Sequence, residues 1–277
     1  MKAYADLTTL KSATYLNVTG TGEDTRFRAL LEAASEEIDK LTHRFFECQE
    51  GTRYYDGDYH LLFPGDDILS ITTLKLDLDG DGVFETSLAA TDYHMKPLNS
   101  YPKTYLEIAY GGDYSDFARS LSKAIEITGV FGFGNGVSAT PYTSGGTLGA
   151  AVSDTTGTSV TMTAGHSVAA GHTIRIDSEQ MYVQVVAANT LTVKRGVNGT
   201  TAATHSNSTA VYIYEYPAPI TQACLMQASL WKKRGEVGYT GVSINEVTGQ
   251  TIIHKGLDPN VELIISSFVS GAGRLLY

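Results

Sequence analysis

From Asp24 to Phe45 the residues Phe27, Leu30, Leu31, Ala34, Ile38, Leu41 and Phe45 recur at steps of three and four. That spacing gathers them on one face of a helix and leaves Arg28, Glu32, Glu36, Glu37 and Lys40 on the other. A helix of this length with one apolar stripe is unstable alone in water, so the chain must supply a surface for it to bury against. Thr21 and Asp24 have the spacing of a capping box at its start. A shorter helix is predicted over Thr8–Leu16, folding back on the long one as a helical hairpin.

After Phe46 the period changes from three and four to two. Thr52–Gly57, Tyr59–Phe63, Ile68–Leu78, Tyr105–Tyr110 and Ala124–Val130 read as strands, broken by Pro64-Gly65-Asp66-Asp67 and Asp79-Gly80-Asp81-Gly82. Gly129–Gly136 is glycine-rich but lacks the Lys-Ser/Thr of a phosphate loop, and reads as a strand exit or hinge. Residues 135–152 are mostly Gly, Ser, Thr and Ala and read as a flexible linker. Five strand-like runs then fill 153–216, ending at Pro217-Ala218-Pro219. A helical stripe returns with Ile220, Ala223, Cys224, Gln227, Ala228 and Trp231 and stops at Lys232-Lys233-Arg234-Gly235. Asp258 and Pro259 cap a last helix. The expected class is α+β: a helical host with hairpins or a small sheet, formed by 1–134 with 217–277, and an inserted all-β module at 153–216.

Twenty Lys and Arg against thirty Asp and Glu give a net charge of −10, which argues against a surface that grips phosphate backbones. An acidic wall would leave a duplex free to slide. Cys48 and Cys224 are too few and too far apart for a disulfide framework and are expected as free buried thiols. No run approaches a membrane span or a signal peptide. Asp77, Asp79 and Asp81, followed by Gly82, resemble the opening of a calcium loop, although Leu88 stands where its closing Glu belongs. A hairpin turn explains the same residues without a metal, and no other cofactor is expected. His166, His172 and His205 share the β module but fit no metal-ligand spacing. No Gly-x-Ser-x-Gly elbow or carboxylate pair marks a catalytic residue, so the chain is not expected to be an enzyme.

The helix ending at Thr42-His43-Arg44-Phe45-Phe46, then Tyr54-Tyr55-Asp56-Gly57, Asp66–Leu74, Ile125–Gly134 and Pro219–Arg234, resembles in order the head–tail connector (head completion or adaptor) proteins of tailed phages. The resemblance covers roughly 1–134 and 217–277. The inserted module departs from it; its Asp177–Val183, Arg195–Ala202 and His205 look like a small β unit met in other phage structural proteins. The resemblance implies a closed ring, typically of about twelve copies. Such a ring joins the portal to stopper or tail-completion proteins and surrounds the DNA without sequence-specific contact. It implies a place at the head–tail junction of a virion, after synthesis in the host cytoplasm. It also implies portal docking near the C-terminal helix, with Val261, Ile264, Ile265, Phe268, Leu275, Leu276 and Tyr277 as the candidates. Two other readings stay open: a carbohydrate- or receptor-binding virion protein using the β module, and a hydrolase with dispersed residues. A groove of clustered aromatic side chains on the module would favour the first.

Overall fold

The computed structural model describes residues 2–236, 238, 242–244, 251–253 and 256–270. The chain opens with α1 (Leu7–Lys11) and α2 (Asp24–Thr42), followed by β1 (Gln49–Tyr55), β2 (Leu61–Leu62), β3 (Ile68–Leu76) and β4 (Thr86–Leu88). Next come β5 (Tyr93–Lys96), β6 (Tyr105–Ile108), β7 (Ile125–Phe131), β8 (Tyr142–Thr147) and β9 (Ser159–Thr161). Strands β10 (Thr173–Ile176), β11 (Glu179–Ala187), β12 (Thr190–Lys194) and β13 (Ala210–Tyr214) lead to α3 (Ala218–Glu236). A short hairpin of β14 (Val242–Ile244) and β15 (Thr251–Ile253) and then α4 (Pro259–Ser266) complete the order. The class is mixed α+β with antiparallel sheets throughout.

Two compact units divide the chain, and both are discontinuous. The first joins 1–43, 142–197 and 201–277; the second joins 44–141 with 198–200. This differs from the expected grouping of 1–134 with 217–277. The reason is that the helices take the six-stranded sheet as their partner: Leu7 N–H donates to Ala170 O at 2.9 Å, and buried Tyr182 donates its hydroxyl to Glu32 at 2.8 Å. Arg28 donates to Gln184 O at 2.6 Å. Residues 142–152 are also not a loose linker. They contain β8, which pairs with β13, and Leu148 and Val152 enter the sheet's core.

In the first unit, Phe27, Leu31, Ala34 and Ile38 are buried along α2, as the stripe demands, and α2 packs on α3. The helix ends earlier than its apolar spacing suggests, because His43 adopts a left-handed conformation (φ 52°) and donates its N–H to Asp39 O. The expected capping box is not formed: Glu23 is the N-cap residue and makes no side-chain cap bond. Gln227 of α3 donates to Gly256 O and accepts from Asp258 N–H, fixing the chain as it enters α4, where Asp258 caps and Pro259 leads as expected. The six strands run in the order β8-β13-β10-β11-β12-β9 over a core that includes Val160, Ile174, Met181, Val183, Leu191 and Val211.

The second unit holds the sheets β1-β7-β3-β4 and β2-β6-β5 over one core, in which Ile68, Leu74, Leu106, Phe117, Ile127 and Phe131 are buried. The strand β7 alternates buried and half-buried residues along its whole length. Gly129 lies in it opposite Ile71, where β3 bulges; a Cβ there would stand 2.2 Å from Ser70 O, so no larger residue fits. The glycine-rich run thus begins inside a strand and leaves it at Gly132.

Candidate functional site

Three places gather chemistry-bearing side chains. The first is the turn after β3, where the sequence placed Asp77, Asp79 and Asp81. Asp77 is buried and accepts the N–H groups of Gly80 at 2.6 Å and Gly82 at 2.8 Å. Asp81 accepts from Val83 N–H at 2.8 Å, so the loop is folded by its own carboxylates. The turn curls enough to add Glu85, and one oxygen from each of the four carboxylates lies within 4.8 Å of the others. Burial raises the Asp77 carboxyl, but the N–H bonds from Gly82 and Gly80 outweigh it and hold it below the usual range. Four oxygen donors this close suit a hard cation such as calcium. Glu85 was missed because the sequence template looked for its closing ligand at Leu88.

The second place is enclosed within the six-stranded sheet. Arg195 grips Glu179 through Nε and Nη2, at 2.6 and 2.7 Å, and both side chains are almost wholly buried. Glu179 also accepts from Gly196 N–H at 3.0 Å, Ala203 N–H at 2.9 Å and His205 Nε2 at 2.9 Å. The other ring nitrogen of His205 faces Asp177 Oδ2 at 2.8 Å. Each ring nitrogen of His205 thus meets a carboxylate oxygen. Burial raises the Glu179 carboxyl, but the Arg195, Ala203, His205 and Gly196 bonds prevail and hold it down to about 2. Arg195 also donates to Gly157 O at 3.2 Å, so the cluster ties the loops before β9 and after β12 to β11. Arg195, Glu179 and His205 are spent on one another and their neighbours, which makes the cluster a clamp for the fold. His205 reads from sequence as an ordinary loop histidine; the one signal for the cluster was the likeness carried by 177–183, 195–202 and His205. His166 and His172 do not join it: His166 Nε2 meets Ala188 O, and His172 Nδ1 accepts from Ala169 N–H.

The third is the set of surfaces open to a partner. In α4, Val261 and Ile265 are buried within the first unit and Ile264 is half-buried, as is Phe268 just past the helix end. Two of the expected docking anchors are therefore already covered by the chain itself; the exposed apolar residue of this helix is Leu263. Leu275, Leu276 and Tyr277 lie outside the described residues. Large apolar side chains crowd the surface of the second unit instead. Among the described residues, eight of eleven exposed ones belong to residues 44–141: Tyr54, Tyr59, Phe63, Leu78, Val83, Leu98, Tyr110 and Val137. Tyr54 packs on Phe84 with ring centres 5.5 Å apart and lies under the Lys123 ammonium at 4.7 Å. Arg119 covers Tyr59 at 4.9 Å, and Phe63 stacks on Tyr105 at 5.2 Å.

Cys48 and Cys224 are both buried, and neither is in a disulfide. Burial pushes the Cys224 thiol up to about 11, away from a reactive thiolate. Among the described residues, no helix is long and apolar enough to cross a membrane. No family model matches the chain, and no curated protein matches it.

Proposed function

We propose that this chain is a structural subunit of a tailed-phage head–tail connector, acting without catalysis by ring formation and docking. The observation that carries this reading is the apolar surface of the second unit, where eight of the eleven exposed large apolar side chains among the described residues occur. A set of tyrosines and phenylalanines held rigid by stacking and by overlying cations is suited to the centre of a protein–protein interface. The occupant we assign to it is a neighbouring copy, because head-to-tail contact between like subunits closes a ring. The ring would join portal to stopper or tail-completion proteins in the virion, with DNA passing through its channel. A net charge of −10 supports passage without grip.

Native mass spectrometry and light scattering test this, on the full chain alone and mixed with portal rings. The expected result is a closed oligomer, formed alone or on the portal, that Tyr59→Ser with Phe63→Ser weakens while leaving the subunit's unfolding midpoint unchanged. A chain that stays monomeric in both conditions at high concentration would overturn the reading.

A further inference from the structure

We propose that the outer face of the six-stranded sheet carries a shallow groove for one terminal ring of a neutral hexose-containing glycan. This stands apart from ring assembly and draws on different residues. The groove has a volume of about 270 Å³ and is lined by Tyr142, Arg175, Asp177, Thr209, Ala210 and Tyr212.

Strand pairing builds it. Arg175 of β10 lies directly opposite Tyr212 of β13, and Tyr142 of β8 enters opposite Tyr214. Ile174, Ile176, Val211 and Ile213 fill the other face, so the alternation of the strands puts Arg175 and Tyr212 outside. The rings of Tyr142 and Tyr212 are 5.2 Å apart and inclined at 56°, and Tyr212 is open to water. Arg175 is held in place: its Nη1 donates to the Tyr142 hydroxyl at 3.1 Å, its Nε donates to Asp177 O at 2.8 Å, and its guanidinium lies 5.3 Å from the Tyr142 ring centre. The Asp177 carboxylate is oriented by His205 yet remains 59% exposed.

Those parts identify a ligand class. A pyranose ring offers a C–H face that lies on an aromatic ring, together with hydroxyls that both donate and accept. A fixed guanidinium beside a fixed carboxylate supplies the complementary acceptor and donors. Arg175 and Asp177 carry opposite charges side by side, so the groove has no net charge of its own, which suits a neutral ligand. The volume falls just below the range of about 300–1,000 Å³ for small-molecule pockets, so the groove takes one ring and binds it weakly.

Saturation-transfer NMR on the full chain tests this with glucose, galactose, mannose and N-acetylglucosamine, each followed by titration. We expect transfer to at least one of them, with millimolar affinity. Tyr212→Leu, which keeps an apolar strand residue but removes the ring, is expected to weaken that binding at least about tenfold. Asp177→Asn tolerates the left-handed backbone at this position (φ 52°) and is expected to weaken it severalfold. Both variants are checked for an unchanged β-sheet spectrum. Absence of transfer from all four sugars, or equal titration by Tyr212→Leu and the parent, would overturn the proposal. So would stronger binding of uridine at the same residues, which would make the groove a site for a planar base. None of these outcomes bears on ring formation.

Discussion

The six-stranded sheet of the first unit and the sheets of the second differ in where they put groups that do not belong where they are. The first has taken a carboxylate, a guanidinium and an imidazole into its interior and satisfied them against one another, with the exposed Asp177 at the edge. The second keeps four carboxylates together on a surface turn and leaves eight large apolar side chains facing water. One region pairs its buried charged groups within the chain, whereas the other carries most of the exposed large apolar side chains among the described residues.

The largest effect that would break this comparison comes from removing 140–216. If the sheet were a free-standing insert, the remainder would fold. The buried Tyr182 and the Leu7–Ala170 bond tie the helices to that sheet, so the shortened chain is expected to lose cooperative unfolding of its helical part. A sharp helical transition in a urea melt would show that the units are drawn wrongly.

Next is Arg195→Met, which takes the guanidinium from buried Glu179 and leaves it only His205 and two backbone N–H groups. A loss of about 3–5 kcal/mol is expected in denaturant unfolding, as for breaking other buried pairs from one side. A loss below 1 kcal/mol would mean that water reaches the cluster.

Acid separates the two regions by sign. Glu179 is held down to about 2 from 4.5, so its stabilisation is fully present above about pH 4.5 and is lost as pH falls through about 2. Asp67, in the second unit, is raised from 3.8 to about 6 by burial, with Arg44 opposing only in part. Its folded form binds a proton that the unfolded form releases, so the second unit gains stability as pH falls from about 7 toward 4. Each shift corresponds to about 3 kcal/mol. Amide exchange is expected to slow in β3 and β7 on going from pH 7 to 5, after correction for intrinsic rates, with β10 and β11 unchanged until below pH 4.5. Parallel behaviour of the two sets would remove the contrast.

The smallest effects belong to the carboxylate turn. Asp77→Ala strips the acceptors from two backbone N–H groups and is expected to cost about 1–2 kcal/mol. Millimolar calcium is expected to add less than about 1 kcal/mol to the parent, because both Asp77 oxygens already accept backbone bonds and the other three carboxylates are exposed. A large calcium-dependent rise in melting temperature, abolished by Glu85→Gln, would make the turn a metal site.

Much of the local structure was legible because it is written in short periods. The α2 stripe, the alternation of β7 and the Asp258-Pro259 start of α4 are each set by residues within a few positions of one another. The partner of α2 was not legible. Arg28 and Glu32 read as a side facing water or a neighbour, with no sign of which; they reach Gln184 and Tyr182 more than a hundred residues later. The same holds for the candidate sites: Asp77, Asp79 and Asp81 announce themselves, whereas Glu179, Arg195 and His205 meet only because three strands and two loops converge. The aromatic groove is of the second kind as well, since Tyr142 lies in a stretch whose composition reads as linker.

The broken course of the first unit has a consequence in time. A ribosome releases α2 first, then all of 44–141, and only later Ala218, where α3 begins. At about 5–20 residues per second the interval from Thr42 to Ala218 lasts roughly 9–35 s. The second unit's long segment can collapse during that wait, since nearly all its residues are already out. The Phe27, Leu31 and Ile38 face of α2 has no α3 to lie against until the end. During synthesis, then, the hazard of premature association falls on α2, and a slower ribosome lengthens it.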